Sequence, residues 1–189
     1  MAAMNVLTKP RFTVDEYLAW AEDHPGRYEL FRGEIYPMSP ETALHAEIKG
    51  AIHTALVLGL RERRLPCRAM PDGMTIRIDE TTAYEPDALV YCGEKLAPTA
   101  IEVPNPIVVV EVLSPSTKRL DLGVKLAGYF RLPSLEHYLI IDPNQPSVIH
   151  HSRGTGDTIL TRIVTDGSII LDPPGLELSL RDIYEAGQQ

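Results

Sequence analysis

The chain has 189 residues, a length that fits one domain and is sufficient to bury a sizeable core. Its shares of hydrophobic residues (44%) and charged residues (23%) are ordinary for a globular protein, and the formal net charge of -8 argues against non-specific attraction of the whole molecule to nucleic acid. No apolar stretch is long enough to span a bilayer, and the first residues lack the pattern of a signal peptide. We therefore expect a cytoplasmic protein.

The cysteines support the same expectation. Cys67 and Cys92 are the only two in the sequence. They offer neither the spacing of a zinc site nor a disulfide framework, which suits a reducing compartment.

The first half of the chain contains three clear elements. These are a short helix capped by Thr13, a β-hairpin that turns at Arg32-Gly33, and a long amphipathic helix within 40–64. Short strands are predicted next, at 67–70, 74–78, 88–91 and 107–113. Pro and Gly residues punctuate these strands, as expected for tight connections.

The second half predicts another helix and several strands. The helix is capped by Ser116 or Thr117 and runs to about Arg131. A buried strand follows at 137–141, then strands at 147–151, 158–164 and 168–171 and a last helical turn at 180–185. This order of elements favours an α/β core with a mixed sheet.

The most informative strand carries a carboxylate near its end. The run 107–113 is apolar except for Glu111, and an ionised carboxylate in such a strand is costly unless it is paired or bound to a cation. Asp87 precedes another apolar run, and the carbonyl of Val112 could add a third oxygen ligand for a divalent cation. The pattern indicates metal-assisted hydrolysis. The alternatives are a turn residue for Asp87 and a core ion pair for Glu111.

The second predicted helix places three polar side chains on one face. Asp121, Lys125 and Tyr129 are each four residues apart, and a short turn joins this helix to the strand of Glu111. Lys125 could therefore reach back over the strand end, where it would orient a water molecule or offset phosphate charge. The alternative is an exposed Asp121–Lys125 pair worth about 0.2–0.5 kcal/mol, which the spacing alone favours.

Together these motifs resemble the Uma-type branch of the PD-(D/E)XK nuclease superfamily. The resemblance rests on the segments 85–87, 110–117, 28–34, 38–40 and 136–143, with His45, Asp121 and Lys125, and it covers most of the chain. It implies a restriction endonuclease-like α/β fold, in which helices flank a mixed central sheet, with an N-terminal hairpin and C-terminal strand additions. We expect one domain over 1–189, comprising an N-terminal extension (12–40), a nuclease core (41–142) and C-terminal strands (143–189).

The resemblance also implies a magnesium-dependent phosphodiesterase that acts on nucleic acid, expected to be DNA, with Mn²⁺ as the alternative ion. Asp87 and Glu111 match the two acids of the superfamily motif. The motif lysine should stand two residues after Glu111, where this chain has Leu113. Lys125 is the candidate replacement.

Two further residues are candidates for the site. His45, on the first core helix, could transfer a proton or hold substrate, and Glu29 could point inward from its strand. The alternatives are a histidine packed over the sheet and an ordinary polar hairpin residue. Glu47 is two positions from His45, so the two cannot face the same site.

The leading hypothesis is a metal-dependent endonuclease that acts as a homodimer, since a double-strand cut generally needs two sites. The substitution at Leu113 leaves open a catalytically inactive nuclease-fold module for binding or regulation. The acidic balance leaves open a hydrolase of a small phosphorylated metabolite. Two groups of basic residues could meet phosphates: Arg61, Arg63, Arg64 and Arg68, and Lys118, Arg119 and Arg131. Because Glu62 interrupts the first group, a solvated helix end is the favoured interpretation there.

Overall fold

The structure is a computed structural model that describes residues 11–114 and 121–185. The helical elements are α1 (Val14–Glu22), α2 (Ala43–Glu62), a π-helical turn (Asp121–Lys125), α3 (Leu126–Tyr129) and α4 (Leu180–Tyr184). The strands before the π-helical turn are β1 (Tyr28–Phe31), β2 (Glu34–Pro37), β3 (Cys67–Pro71), β4 (Ile76–Asp79), β5 (Thr82–Tyr84), β6 (Ala88–Cys92) and β7 (Pro106–Val112). Those after it are β8 (His137–Asp142), β9 (Ser147–Arg153), β10 (Ile159–Val164), β11 (Ser168–Leu171) and β12 (Leu176–Ser179).

The main sheet is mixed. Its six strands follow the order β10-β9-β8-β7-β6-β3, in which β7 and β8 run parallel and the other neighbours run antiparallel. A four-stranded sheet has the order β2-β1-β5-β4, and β11 pairs with β12. This architecture confirms the predicted α/β class, with helices beside a mixed central sheet.

Strand β7 is central to the main sheet and is buried on both faces. Alternate residues of a strand point to opposite faces, so the long apolar run predicted this environment. One face packs against apolar side chains of α2, which are Ile48, Ile52 and Leu56. The other face packs against three tyrosines, Tyr84, Tyr129 and Tyr138. Glu111 lies in the core, where the hydroxyl of Tyr129 reaches it.

The N-terminal elements form as the sequence predicted. Thr13 caps α1, and its backbone N–H donates to Glu16 Oε2 at 2.8 Å to complete a capping box. The hairpin turns at Arg32 and Gly33, whose φ angles of 52° and 78° match the two positive values of a type I′ turn. This hairpin carries Glu29 toward the interior.

Three elements differ from the prediction. β5 and β12 were not predicted, because each is a strand of only three or four residues without a long apolar run. The second helix is a π-helical turn followed by α3, and its predicted caps, Ser116 and Thr117, lie outside the described residues. The division of the chain at residues 41 and 142 stays a prediction, and β9 continues the main sheet directly from β8.

The expectation of no disulfide framework was wrong. Cys67 and Cys92 form a disulfide between directly opposed positions of β3 and β6. The two cysteines are 25 residues apart, so no local pattern predicted the disulfide. The antiparallel register of β3 and β6 brings them together. The cysteines therefore give no support to a reducing compartment, and the cytoplasmic location stays a prediction. In the described part of the chain, no helix has both the length and the apolar character needed to cross a membrane.

A buried histidine pair makes stability depend on pH. His137 Nδ1 lies 3.0 Å from His150 Nε2, and both side chains are buried. Burial lowers the pKa of both, that of His150 to about 4. Because the unfolded chain then binds more protons, the free energy of unfolding should fall by about 2 kcal/mol as pH drops from 7 toward 4.

Urea unfolding at several pH values tests this expectation. His150→Gln should flatten the profile between pH 6.5 and 4, whereas the exposed control His24→Gln should keep the native profile. A native slope in His150→Gln would show that another group causes the pH dependence.

Candidate active site

The strand register brings the two predicted acids to one end of the main sheet. Ala88 pairs with Val110, so Asp87 stands across from Glu111, and the Asp87 N–H donates to the Val110 carbonyl at 3.0 Å. The Val112 N–H in turn donates to Asp87 Oδ2 at 2.7 Å. Both carboxylates are 4% exposed, so each needs an internal partner or a cation.

Glu111 is held by two donors from the segment that follows β7. Lys125 Nζ donates to Glu111 Oε1 at 2.8 Å, and the Tyr129 hydroxyl donates to the same oxygen at 2.7 Å. Lys125 Nζ also lies 3.0 Å from Glu29 Oε1, and the lysine is only 1% exposed. Lys125 is therefore not part of an exposed pair on its helix, and the side chain of Asp121 lies outside the described set.

Close packing brings Lys125 to this position. A Cβ on Gly128 would come 2.8 Å from the Tyr84 ring, so glycine permits α3 to lie directly on that tyrosine. The Lys125 ammonium lies 5.6 Å from the centroid of the same ring, within the range of a cation–π contact. Leu113, at the position of the motif lysine, is 8% exposed and packs among the core tyrosines. The ammonium beside Glu111 thus comes from Lys125.

His45 covers the sheet end from the opposite side. It lies in the first turn of α2, where its N–H donates to the Thr42 hydroxyl at 3.3 Å. Its Nε2 is 2.9 Å from the Val112 carbonyl oxygen and 3.7 Å from Asp87 Oδ2. Its Nδ1 is buried and has no hydrogen-bond partner. Glu47 is exposed, in agreement with its predicted orientation.

Lys49, one helical turn after His45, is a charged neighbour that the sequence did not reveal. Its Nζ bonds to Glu41, lies 2.8 Å from Asp72 Oδ2 and lies 4.0 Å from Asp87 Oδ1. Burial alone would lower the pKa of Lys49, but the bonds to Asp72 and Glu41 raise it, so the ammonium stays charged. The i,i+4 spacing from His45 was the only local signal for this residue.

Arg27 connects the charged groups around Lys49 with those around Lys125. Its guanidinium donates to Glu85 Oε1 at 2.7 Å and reaches Glu41 and Asp72 at 2.7 and 2.8 Å. The Glu85 N–H donates to Glu29 Oε1 at 2.9 Å, which connects this group to Lys125. Arg27 and Glu85 are 58 residues apart, so no local pattern could have predicted their pairing.

These side chains form a charge network that carries excess negative charge. Its cations are Arg27, Lys49 and Lys125, and its carboxylates are Glu29, Glu41, Asp72, Glu85, Asp87 and Glu111. Among the side chains that the structure describes, three cations face six carboxylates when every group is ionised, a net charge of -3. Burial raises the pKa of Asp87 and of Glu85, as expected for carboxylates that are incompletely neutralised.

The donor set fits a divalent cation. Donor atoms of Glu41, His45 and Asp87 lie within 4.8 Å of one another, and the Val112 carbonyl is in contact with His45. Oxygen donors suit Mg²⁺ and Mn²⁺, and an imidazole is compatible with Mn²⁺ and later transition metals. A cation here would also offset the excess negative charge of the described side chains. His45 Nδ1, which makes no hydrogen bond and lies 3.9 Å from Glu41 Oε2, faces the same cluster.

Comparison with known proteins gives a family match over most of the chain. The profile of the Uma2 family, described as "Putative restriction endonuclease", matches residues 14–182. The chain is 29% identical over 177 residues to the uncharacterized protein slr1290 of Synechocystis sp., which covers 93% of this chain and 92% of that protein. It is also 29% identical over 171 residues to the uncharacterized protein sll1609 of the same organism, with coverage of 88% and 96%.

A solved structure has the same fold. It is the crystal structure of "a putative nuclease belonging to DUF820" from Anabaena variabilis, with a TM-score of 0.73 and 18% sequence identity. The match covers 92% of this chain and 98% of that chain. At this identity the likeness shows the fold alone, and it confirms the expected restriction endonuclease-like architecture.

Proposed function

The chain belongs to the Uma2 family, whose description is "Putative restriction endonuclease", and on that premise we propose that it is a divalent-metal-dependent endonuclease that hydrolyses phosphodiester bonds in DNA. One observation carries the proposal. A buried lysine, Lys125, contacts Glu111 at the sheet end where Asp87, the Val112 carbonyl and His45 also converge. An acid pair, a carbonyl oxygen and an ammonium at one sheet end are the parts that metal-assisted phosphodiester hydrolysis needs.

Asp87, Glu111 and the Val112 carbonyl, the ligands that the superfamily motif implies, would hold Mg²⁺, or Mn²⁺ as the alternative. The donor atoms that the described structure brings within 4.8 Å of one another are those of Glu41, His45 and Asp87, so Asp87 alone belongs to both sets. When bound, the ion would make water at the centre more acidic and offset the charge that develops on the phosphate. The ligands are preorganised by the chain itself, because Val112 N–H fixes Asp87 and Tyr129 fixes Glu111. Burial, together with the charge of Glu111, raises the pKa of Tyr129 well above its usual value, so its hydroxyl remains a donor at neutral pH.

Lys125 would orient the attacking water or offset charge on the phosphate. Its ammonium is held between Glu111 and Glu29, so its position is fixed before substrate arrives. Glu29 would act as a positioning residue for this lysine. In this position Lys125 would perform the role of the motif lysine, whose place in the sequence is occupied by Leu113.

His45 would transfer a proton or hold substrate at the opposite side of the centre. Its imidazole lies against the Val112 carbonyl and Asp87, next to the proposed reacting atoms. In the reaction, a water oxygen forms a bond to phosphorus as the in-line bond to the leaving oxygen breaks. The electron pair of that bond goes to the leaving oxygen, which takes up a proton, while the attacking water gives up one.

A cleavage assay with matched variants tests the proposal. Plasmid, single-stranded and branched DNA would be incubated with Mg²⁺, Mn²⁺ or EDTA, using the native chain, Glu111→Gln and the exposed control Glu47→Gln. We expect metal-dependent cleavage by the native chain and the control, and none by Glu111→Gln. Equal cleavage by Glu111→Gln, or full cleavage in EDTA, would contradict the proposal.

Leu113 favours a second candidate, a nuclease-fold module that binds or regulates without cutting. Absence of cleavage with both metals on every substrate, together with retained DNA binding, would favour this module. Competition by nucleotides but not by DNA would instead favour a hydrolase of a small phosphorylated metabolite, which the net charge of -8 suits.

We also propose that the enzyme acts as a homodimer, because a double-strand cut generally needs two active sites. The segment from Phe12 to Met38 offers surface outside the predicted nuclease core. Light scattering that gives the molar mass of one chain at the assay concentration would contradict this proposal.

A further inference from the structure

A cavity lies at the far end of α2 from the candidate active site. Its volume is about 400 Å³, and it opens between α2 and β3, the edge strand of the main sheet. Three arginines contribute to its walls, Arg61, Arg64 and Arg68, and the remaining lining is mostly apolar. A concave surface with several cations and an apolar floor is suited to an anion that carries an apolar part.

The three arginines have no carboxylate partner. Within the described ranges 11–114 and 121–185, no acidic side chain lies within ion-pair distance of any of them, and Arg68 donates only to the Gly93 carbonyl, at 3.2 Å. Their neighbour Arg63, in contrast, lies 3.4 Å from Glu177. In a chain with a net charge of -8, three unneutralised arginines around one cavity form a local positive site.

The helix terminus does not account for this cluster. A cation in the last turn of a helix interacts favourably with the helix dipole, and Arg61 occupies that position. Arg64 follows the C-cap, however, and Arg68 belongs to β3. All three are exposed, so their charges are available to a ligand.

A row of side chains on α2 joins the cavity to the candidate active site. Lys49, His53, Val57 and Arg61 are each four residues apart and therefore lie along one side of the helix. Val57 and Arg61 line the cavity, whereas Lys49 lies 4.0 Å from Asp87 Oδ1. At 1.5 Å per residue, this row spans about 18 Å.

We propose that the arginine-lined cavity binds the sugar–phosphate backbone of the DNA strand that enters the candidate active site, with α2 setting the distance between the two. The inference rests on the proposed function and names the path of its substrate. The backbone of a DNA strand carries a negative charge at every nucleotide, so a strand whose reacting phosphate lies in the candidate site also presents phosphates about 18 Å away, at the cavity. Arginine guanidinium groups bind phosphate oxygens in pairs, and a nucleic-acid backbone supplies a phosphate at every nucleotide, which suits a cluster of three arginines.

Binding measurements on the full chain test this path without any need for cleavage. Fluorescence anisotropy would follow labelled single-stranded and duplex 20-mers in EDTA, which prevents metal-dependent turnover. The triple variant Arg61→Gln, Arg64→Gln, Arg68→Gln would be compared with a control triple of equal charge change at exposed arginines, Arg11→Gln, Arg162→Gln, Arg181→Gln. Replacing the three cavity arginines by lysine supplies a variant that keeps the charge.

We expect the cavity triple to raise Kd at least about tenfold and to reduce the salt slope of log K by about 2 to 3. The control triple should change Kd by about twofold or less, and the lysine triple should retain most of the salt slope. The cavity triple should raise Kd more for one of the two labelled 20-mers, and that 20-mer, single-stranded or duplex, is the form of DNA that the cavity binds. Equal Kd changes in the two glutamine triples, or none in either, would overturn the inference and would assign the cavity to another partner, such as a protein.

Failure of this inference is distinguishable from failure of the proposed function. Cleavage that is insensitive to the cavity triple would overturn the path while the nuclease assignment stands. Arginine-dependent binding without cleavage under any metal would support the path while the nuclease assignment fails. Melting temperatures of the three triples show whether a loss of binding reflects a loss of folding.

Discussion

Asp87→Asn is expected to abolish DNA cleavage while leaving the protein as stable as the native chain or more stable. Because burial raises the pKa of Asp87, the folded protein disfavours its ionised form. A permanently neutral side chain of the same shape removes that unfavourable term at pH 7, and its carbonyl can still accept the 2.7 Å bond from Val112 N–H. The loss of a metal ligand should lower the cleavage rate by roughly a thousandfold or more.

The control for this variant is Asp79→Asn, which should have the opposite signature. Burial alone would raise the pKa of Asp79, but bonds from Thr81 and an ion pair with Arg131 lower it. The folded state therefore favours the ionised form of Asp79, so its neutral replacement should lose stability by up to about 1 kcal/mol and leave cleavage unchanged. Urea unfolding and the plasmid assay measure both quantities.

Normal cleavage by Asp87→Asn would remove Asp87 from the proposed ligands. A marked loss of stability in that variant would show instead that the carboxylate is a structural ion-pair partner, the role that the sequence left open for Glu111. Cleavage and unfolding measurements together thus distinguish a metal ligand whose charge lowers the free energy of unfolding from a residue whose charge raises it. Such opposition between stability and function is expected at a site arranged for a cation.

Local patterns predicted the parts of the site that lie on regular elements. The apolar run around Glu111 predicted a central strand, and β7 is buried along almost its whole length. The i,i+4 spacing of Lys125 and Tyr129 predicted that they share a face, and both now contact the same oxygen of Glu111. These relations depend on the periods of helix and strand, which the sequence shows directly.

The rest of the network depends on contacts between distant segments. Arg27 meets Glu85 across 58 residues, and Lys49 meets Asp72 across 23 residues. Nothing in the local sequence distinguishes these charges from solvated ones, because charged side chains on helices and loops are usually exposed. The disulfide between Cys67 and Cys92 was missed for the same reason, since its geometry arises only from the pairing of β3 with β6.

Lys125→Met is expected to have the largest effect on both stability and cleavage. The lysine stands between Glu111 and Glu29, at 2.8 and 3.0 Å, and all three side chains are buried. Removing one member of a buried charge group leaves uncompensated charge, so the free energy of unfolding should fall by about 3–5 kcal/mol. Cleavage should be lost as well, and urea unfolding with the DNA assay would measure the two losses.

A second variant separates the structural effect from the catalytic one. Adding Glu29→Gln to Lys125→Met removes one of the two carboxylates that the lysine contacts, so part of the lost stability should return. The remaining acid, Glu111, keeps the hydroxyl bond from Tyr129, so the metal ligand stays in place. If Lys125 acts on water or phosphate, the double variant should be folded, should bind Mn²⁺ and should still not cut DNA. Recovery of cleavage along with stability would mean that the lysine only neutralises the two acids, and that the reaction proceeds without an ammonium at this position.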